Sequence, residues 1–299
     1  MTDPELVRTQ TFTLAGPLEL DVAVTLGRVE VRLDADAGPD ATVEVRHDPE
    51  AQQPWAQGIS NLLSWVSERF GDQLGTDLGA TPAEAVQQTR LEQTGGRVTV
   101  HAPKALPLRN IPLAVTVIAP PGSAVEVKTG PADVTVTGAA GRVDLSTGTG
   151  EIKLDRADGA ATVRSGSGAI RLGPVGAGLH LRTGSGAVEV AELSGSATVA
   201  TGTGDVWLGT VAGSVLARSG SGDVSVAEAV RGNLELTTGS GDIRVGLRPG
   251  VAAEVDLTAS AGTVSSELDV AMEPPEGEVP LTLRARTGSG TAVVTRAAQ

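Results

Sequence analysis

Aliphatic residues alternate with polar residues along most of the chain, and the alternation returns at a nearly fixed interval. It is most regular around the motif Thr/Ser-Gly-Thr/Ser-Gly. The motif begins at Thr147, Ser165, Thr183, Thr201, Ser219, Thr238 and Thr287. The first five copies start 18 residues apart and the sixth follows after 19. An interval this constant indicates that one structural unit is stacked repeatedly.

Each unit places apolar residues on one side of two short segments. When the copies are aligned on the first glycine of the motif, five columns hold aliphatic residues. In the copy at Thr201 these residues are Ala197, Val199, Val206, Leu208 and Val211. Alternation with a period of two is typical of β-strands with one buried face, and it excludes a flexible Gly/Ser linker.

The first glycine of each motif is predicted to form a structural corner. These glycines are Gly148, Gly166, Gly184, Gly202, Gly220 and Gly239. Glycine suits a sharp turn because it takes positive φ without a Cβ clash. The predicted fold is therefore all-β, a single-stranded β-solenoid (β-helix) with about 18 residues per coil, in which residues at the same position stack coil on coil.

One solenoid domain is predicted to span residues 1–299. Its parts are degenerate N-terminal coils at 11–46, a helical insert at 52–92, regular repeats at 111–246, and degenerate C-terminal coils at 247–299 with a loop at 271–280. Terminal repeats of solenoids are usually atypical because they close the ends of the core.

The insert is the one place where the apolar period changes to that of an α-helix. Its stripe consists of Trp55, Ile59, Leu62, Leu63, Val66 and Phe70. A second, shorter helix is predicted after Thr81, because Thr81 and Glu84 form a capping-box pattern. The insert is either a cap on the core or a partner site. Trp65 lies off the stripe, so it and Trp55 are candidate partner-binding residues.

The pattern Thr-Gly-Ser-Gly-Asp-Ile-Arg-Val at 238–245, with Pro-Pro-Gly at 120–122, resembles the bacterial putative-adhesin family of β-strand repeats. The resemblance covers about residues 11–296, except 52–92. It implies a β-solenoid and a surface-binding role for a domain of unknown function. It brings no catalytic residues.

The composition of the chain argues against several classes of binding partner. The net charge of -13 argues against nucleic acid and anionic lipid surfaces, and the absence of cysteine excludes disulfides and thiolate zinc sites. No apolar run has membrane length, and the first residues, MTDPELVRTQ, lack a signal-peptide pattern. The sequence thus predicts a cytoplasmic bacterial protein.

Charged columns flank the corners. Glu151, Asp205, Asp223 and Asp242 follow the second glycine of four copies. Their spacing does not match calcium-binding repeats, so the carboxylates are assigned to turn N–H groups or arginines, and no metal or other cofactor is predicted. A basic column holds Lys128, Arg164, Arg182 and Arg218. It could contact sugar or phosphate, but cross-coil ion pairs are the favoured interpretation.

Trp207 lies in an outward-facing column of charged and polar residues, where it is a candidate platform for a sugar or partner. Catalytic signals are missing: His47, His101 and His180 do not have metal-ligand spacing, and no nucleophile elbow or phosphate loop is present. The favoured function is a non-enzymatic scaffold or binding module with an unknown protein or glycan partner. The alternatives are a carbohydrate-binding or carbohydrate-active β-helix protein and a structural protein that self-associates through its solenoid ends.

Overall fold

The computed structural model describes residues 6–14, 16–35, 38–51, 81–268 and 279–298. The predicted long helix, with Trp55 and Trp65, and most of the predicted loop 271–280 lie outside these residues. Throughout the described part, the protein is all-β, with one many-stranded, solenoid-like sheet and one α-helix.

The amino-terminal part combines strands with the helix, α1. Its elements are β1 (Val7–Phe12), β2 (Glu19–Val24), β3 (Gly27–Leu33), β4 (Ala41–His47), α1 (Pro82–Gln87), β5 (Arg90–Thr94), β6 (Arg97–His101) and β7 (Leu113–Ala119). The capping box of α1 is confirmed, because Glu84 N–H donates to the Thr81 hydroxyl and Thr81 N–H donates to the Glu84 carboxylate. The insert ends earlier than predicted, since β5 begins at Arg90 and pairs with β6.

The repeats form a regular series of short strands. They are β8 (Ala124–Thr129), β9 (Ala132–Ala140), β10 (Val143–Thr149), β11 (Ile152–Ala157), β12 (Ala161–Ser167), β13 (Ile170–Val175), β14 (Leu179–Ser185), β15 (Val188–Leu193), β16 (Ala197–Thr203), β17 (Val206–Val211), β18 (Val215–Ser221), β19 (Val224–Ala229), β20 (Gly232–Ser240) and β21 (Ile243–Leu247). Two long strands follow, β22 (Ala253–Ser266) and β23 (Leu281–Arg296).

Successive strands joined by a corner form one level of a stack. From β8 to β19, each strand pairs in parallel with the strand two places further along the chain, so the even-numbered and odd-numbered strands make two faces. Val188 pairs with Val206, and Val206 pairs with Val224. The predicted stacking of this aliphatic column is therefore confirmed.

The core lies between the two faces and is continuous along the stack. It consists almost entirely of Val, Leu, Ile and Ala side chains, and Leu145, Leu181 and Leu208 are fully buried in it. Small aliphatic residues fill this space because the levels are separated only by the spacing of hydrogen-bonded strands, about 4.8 Å.

The sequence predicted that the amino-terminal strands form the end of the stack, but β2 and β3 lie inside it, whereas β1 pairs only with β4. β2 lies between β6 and β8, and β3 lies between β7 and β9, all in parallel. β4 pairs antiparallel with β7 and β1, and α1 packs against β1 and β4 with Ala85 and Val86 buried. Placing β2 and β3 inside the stack pairs both of their edges, which satisfies their backbone groups.

The carboxyl end is interleaved in the same way. β23 pairs in parallel with β20 and β21 on one side and with β22 on the other. β22 is therefore the outermost strand of the described chain at this end, although β23 follows it in sequence. Residues of β22 are half-buried or exposed along its whole length.

The corner glycines require a correction. Positive φ is found at the second glycine of each motif, as at Gly186 with φ of +116°, whereas the predicted corner residues such as Gly184 do not have it. A Cβ on Gly184 would instead lie 2.6 Å from the carbonyl oxygen of Gly166 in the adjacent level. Glycine is needed there because two backbones approach closely, not because the chain turns.

Candidate binding surfaces

Trp207 lies on the outer side of β17, where its side chain is 45% exposed. The register places it beside Glu189 of β15 and Ser225 of β19. The tip of the ring covers Gly209, because a Cβ built on that glycine would lie 3.2 Å from Trp207 Cη2. The indole thus rests against the sheet and presents a broad apolar surface to solvent.

Polar groups border the same strand. Thr210 of β17 is the register partner of Glu228, and Arg248 donates to Glu228 with nitrogen–oxygen distances of 2.6 and 2.7 Å. The hydrogen bond from Arg248 holds the pKa of the Glu228 carboxyl below its usual range. An apolar ring with fixed polar neighbours on the same strand is an arrangement that suits sugars, which carry both C–H faces and hydroxyl groups.

The acidic column, which consists of Glu151, Asp205, Asp223 and Asp242, contains carboxylates that accept hydrogen bonds from backbone N–H groups. Asp205 Oδ1 accepts the N–H of Asp223 at 2.9 Å, Asp223 Oδ1 accepts the N–H of Asp242 at 2.8 Å, and Asp242 Oδ1 accepts the N–H of Thr291 at 2.8 Å. Arg244 also pairs with Asp223 and Asp242. These bonds agree with the assignment of the carboxylates to turn N–H groups and arginines.

Histidine and carboxylate groups do not gather into a metal centre in the part of the chain that the structure describes. His47, His101 and His180 lie on β4, β6 and β14. Burial lowers the pKa of His47, and His101 Nε2 lies 3.3 Å from an oxygen of Asp21.

Buried hydroxyls line the inner side of each corner. Thr183 Oγ1 donates to the carbonyl oxygen of Ser185 at 3.0 Å, and Thr238 Oγ1 donates to the carbonyl oxygen of Gly222 at 2.9 Å. Thr201 is equally buried, but its hydroxyl has no partner among the described residues. A Ser or Thr suits this buried position because its hydroxyl can donate to a nearby backbone carbonyl.

A groove opens beside this corner on the even-numbered face. It has a volume of about 370 Å³, and Arg164, Arg182, Ala200 and Thr201 contribute to its lining. Arg164 lies 3.6 Å from Asp144, whereas Arg182 forms no ion pair with any residue that the structure describes. The sequence analysis found this basic column but missed the groove, since a small residue such as Ala200 gives no signal of a groove within one column.

The predicted site residues fall in separate places. Trp207 lies on the odd-numbered face, the basic groove lies on the even-numbered face, and Trp55 and Trp65 are outside the described residues. None of the described helices is long and apolar enough to cross a membrane.

The stacked parallel strands and glycine corners define a repeat-built, solenoid-like β protein. Residues 116–278 match the Toastrack DUF4097 family model, which covers more than half of the chain. The chain belongs to this family, a domain family of unknown function. A search of curated proteins finds no match.

Three solved structures are similar to this chain over almost its whole length. A putative adhesin from Bacteroides fragilis NCTC 9343 is 11% identical with a TM-score of 0.44, and 96% of each chain is covered. A putative lipid binding protein from Parabacteroides distasonis ATCC 8503 is 14% identical with a TM-score of 0.45, and 97% of each chain is covered. A putative adhesin from the same strain is 12% identical with a TM-score of 0.30, at 96% coverage of each chain. Likenesses of this size carry no conclusion about what the present chain binds.

Proposed function

We propose that this protein is a non-enzymatic, adhesin-like binding module that uses a single-stranded β-solenoid of about 18 residues per coil as a rigid scaffold. The observation that carries the proposal is Trp207, a large aromatic side chain laid flat on an outer face of the stack. Aromatic residues contribute disproportionately to binding because they bury a large area with few rotamers to freeze.

The ligand class favoured for this platform is a glycan. An indole face packs against the C–H face of a sugar ring, while Thr210, three residues further along β17, and Glu228 offer hydrogen-bonding groups. The carboxylates of the acidic column already accept backbone N–H groups, which favours a binding role over that of a carbohydrate-active enzyme.

The test is binding of soluble neutral polysaccharides (dextran, xylan and a β-glucan) to the full chain by isothermal titration calorimetry. We expect Trp207→Ala to weaken binding at least tenfold, since loss of a central aromatic contact costs about 2 kcal/mol or more. Lys153→Ala is the matched control, because Lys153 occupies the same outward column three levels away. Equal affinity in the wild type and Trp207→Ala would contradict the platform, and turnover of a polysaccharide would favour the enzyme.

A protein partner at the segment containing Trp55 and Trp65 stays a prediction from the sequence, as does the cytoplasmic location. The variants Trp55→Ala and Trp65→Ala test the segment separately from the face that bears Trp207. Loss of a glycan ligand in these variants, with retention in Trp207→Ala, would move the proposed site to residues 52–80.

Self-association through the stack end is a second candidate function, and β22 favours it. This strand has no neighbour beyond it among the described residues, and Val264 is 50% exposed. An unpaired strand edge is a template for pairing with another chain. Residues 257–266 carry no charge, so two copies can pair antiparallel over this stretch without a charged residue inside the paired segment. Sedimentation velocity should show a dimer that dissociates in Val264→Lys; a monomeric wild type would contradict this function.

A further inference from the structure

The groove beside Thr201 is lined by two neighbouring arginines. Arg164 and Arg182 are register partners on β12 and β14, so their side chains project from adjacent strands about 4.8 Å apart. Both side chains are exposed, and Arg182 is without an ionic partner in the described chain. Two neighbouring guanidinium groups repel each other unless an anion lies between them.

The same two levels lack the acid that other levels carry after the corner. Ala169 and Ala187 occupy the positions that Glu151, Asp205 and Asp223 hold elsewhere. Asp205 Oδ1 and Asp223 Oδ1 accept the N–H of the next level, but the alanine at 187 offers no such acceptor to the N–H of Asp205. The levels that carry Arg164 and Arg182 thus lack the acid found in neighbouring levels, in a protein whose net charge is -13.

The Thr201 hydroxyl is buried at the same corner. Thr201 is 7% exposed and lines the groove, and its Oγ1 has no hydrogen-bond partner among the described residues. The corresponding hydroxyls of Thr183 and Thr238 are bonded. The Thr201 hydroxyl lies on the inner side of the corner, so the groups that the groove offers to a ligand are the guanidinium groups of Arg164 and Arg182.

We propose that the groove binds an acidic glycan through one carboxylate or sulfate group held between Arg164 and Arg182. Guanidinium groups bind planar oxyanions through paired N–H donors. The groove is shallow and open, so the anionic group can be carried on a longer chain that continues across the face. The inference rests on the proposed binding function, but it concerns a different face from that of Trp207.

The probes are polygalacturonate for carboxylate, dextran sulfate for sulfate, neutral dextran as the uncharged polymer and inorganic phosphate as the free anion. Calorimetry at low ionic strength should show that at least one acidic polymer binds and that Arg182→Ala weakens this binding about tenfold or more, as expected for one charge-assisted contact. The matched control is Arg218→Ala, since Arg218 lies in the same column but pairs with Glu235 and is not part of the groove. It should change the affinity less than twofold.

A second variant tests the groove without removing an arginine. Ala187→Asp places a carboxylate where Asp205 and Asp223 have one, and the new oxygen can accept the N–H of Asp205, so the variant should remain folded. We expect this variant to bind the acidic polymer severalfold more weakly than the wild type does. Added salt should also weaken binding of the acidic polymer to the wild type.

The outcomes separate this inference from the proposed function. If neutral polysaccharides bind in a Trp207-dependent manner while neither acidic polymer binds, or if Arg182→Ala and Ala187→Asp bind like the wild type, the groove proposal is overturned and the binding module stands. Inorganic phosphate binding as tightly as the polymers would overturn the glycan as ligand. If no polysaccharide of either kind binds, both proposals fail.

Discussion

Substituting the second glycine of one corner should lower the free energy of unfolding far more than substituting a glycine in an ordinary turn. Gly186 has φ of +116°, a conformation that an L-residue adopts at a cost of about 1–3 kcal/mol. A Cβ at this position would also lie 2.2 Å from the carbonyl oxygen of Gly168 in the adjacent level. Ordinary carbon–oxygen contacts begin near 3.3 Å, so the two levels must separate by roughly 1 Å.

That separation strains the backbone hydrogen bonds that join the two levels at this corner, including the one from Ile170 N–H to the carbonyl oxygen of Ala187. Losing about two such bonds costs about 2 kcal/mol in addition to the strain in φ. We therefore expect Gly186→Ala to lower the free energy of unfolding by about 3–5 kcal/mol. Gly95→Ala is the matched control, because Gly95 has φ of +59° in the turn between β5 and β6 and nothing lies within 4 Å of its added Cβ.

The measurement is equilibrium urea unfolding of the wild type and both variants, followed by circular dichroism. Gly95→Ala should lose only about 1–2 kcal/mol, the cost of a left-handed conformation in an L-residue. If the two variants lose the same free energy at equal slopes, close approach between levels does not determine the corner sequence, and the reasoning is refuted.

Two further predictions concern the core and the surface. Leu208→Ala should destabilise the protein by about 2–5 kcal/mol in the same assay, because Leu208 is fully buried between Val190 and Val226, whereas Ser225→Ala on the outer side should change stability little. The Arg248–Glu228 pair should stabilise the protein above the ordinary pKa of glutamate, and this contribution should disappear as the pH falls through the lowered pKa of Glu228. Acid titration of stability in the wild type and Glu228→Gln checks the sign: the variant should lose the acid-dependent part, and an unchanged profile would contradict it.

The repeat region could be predicted because local sequence and long-range pairing repeat with the same period. Val188, Val206 and Val224 hold identical positions in consecutive repeats, and the strands that carry them are consecutive on one face. The helix at Thr81 was predictable for a similar reason, since a capping box is a local signal.

The strand order at the ends was not predictable in the same way. Leu20 and Val22 alternate like every other strand, so their pattern shows a buried face but not which strands lie on either side. Their partners, Val98 and Val125 for Leu20, come from distant parts of the chain, and no local interval marks them.

Of the two candidate sites, one could be predicted from a local pattern and the other could not. Trp207 was found because an aromatic residue stands out in a polar column. The groove depends on Arg182 and Thr201 being adjacent in space but on neighbouring strands, together with the absence of an acid at Ala187. Comparing the basic column with the acidic column level by level could have found the groove, because the levels of Arg164 and Arg182 are levels that lack the acid.

The interleaved ends restrict how this protein can change in length. Because β23 lies between β21 and β22, a deletion that removes the last strand would expose an interior ladder rather than shorten the stack by one level. The same holds for loss of β2 and β3 at the other end. Levels such as β14 with β15, by contrast, pair only with neighbours of the same kind. Duplication of a central level can therefore lengthen the molecule while both interleaved ends stay unchanged. Relatives should accordingly differ in the number of central levels and agree in the strand order at their ends.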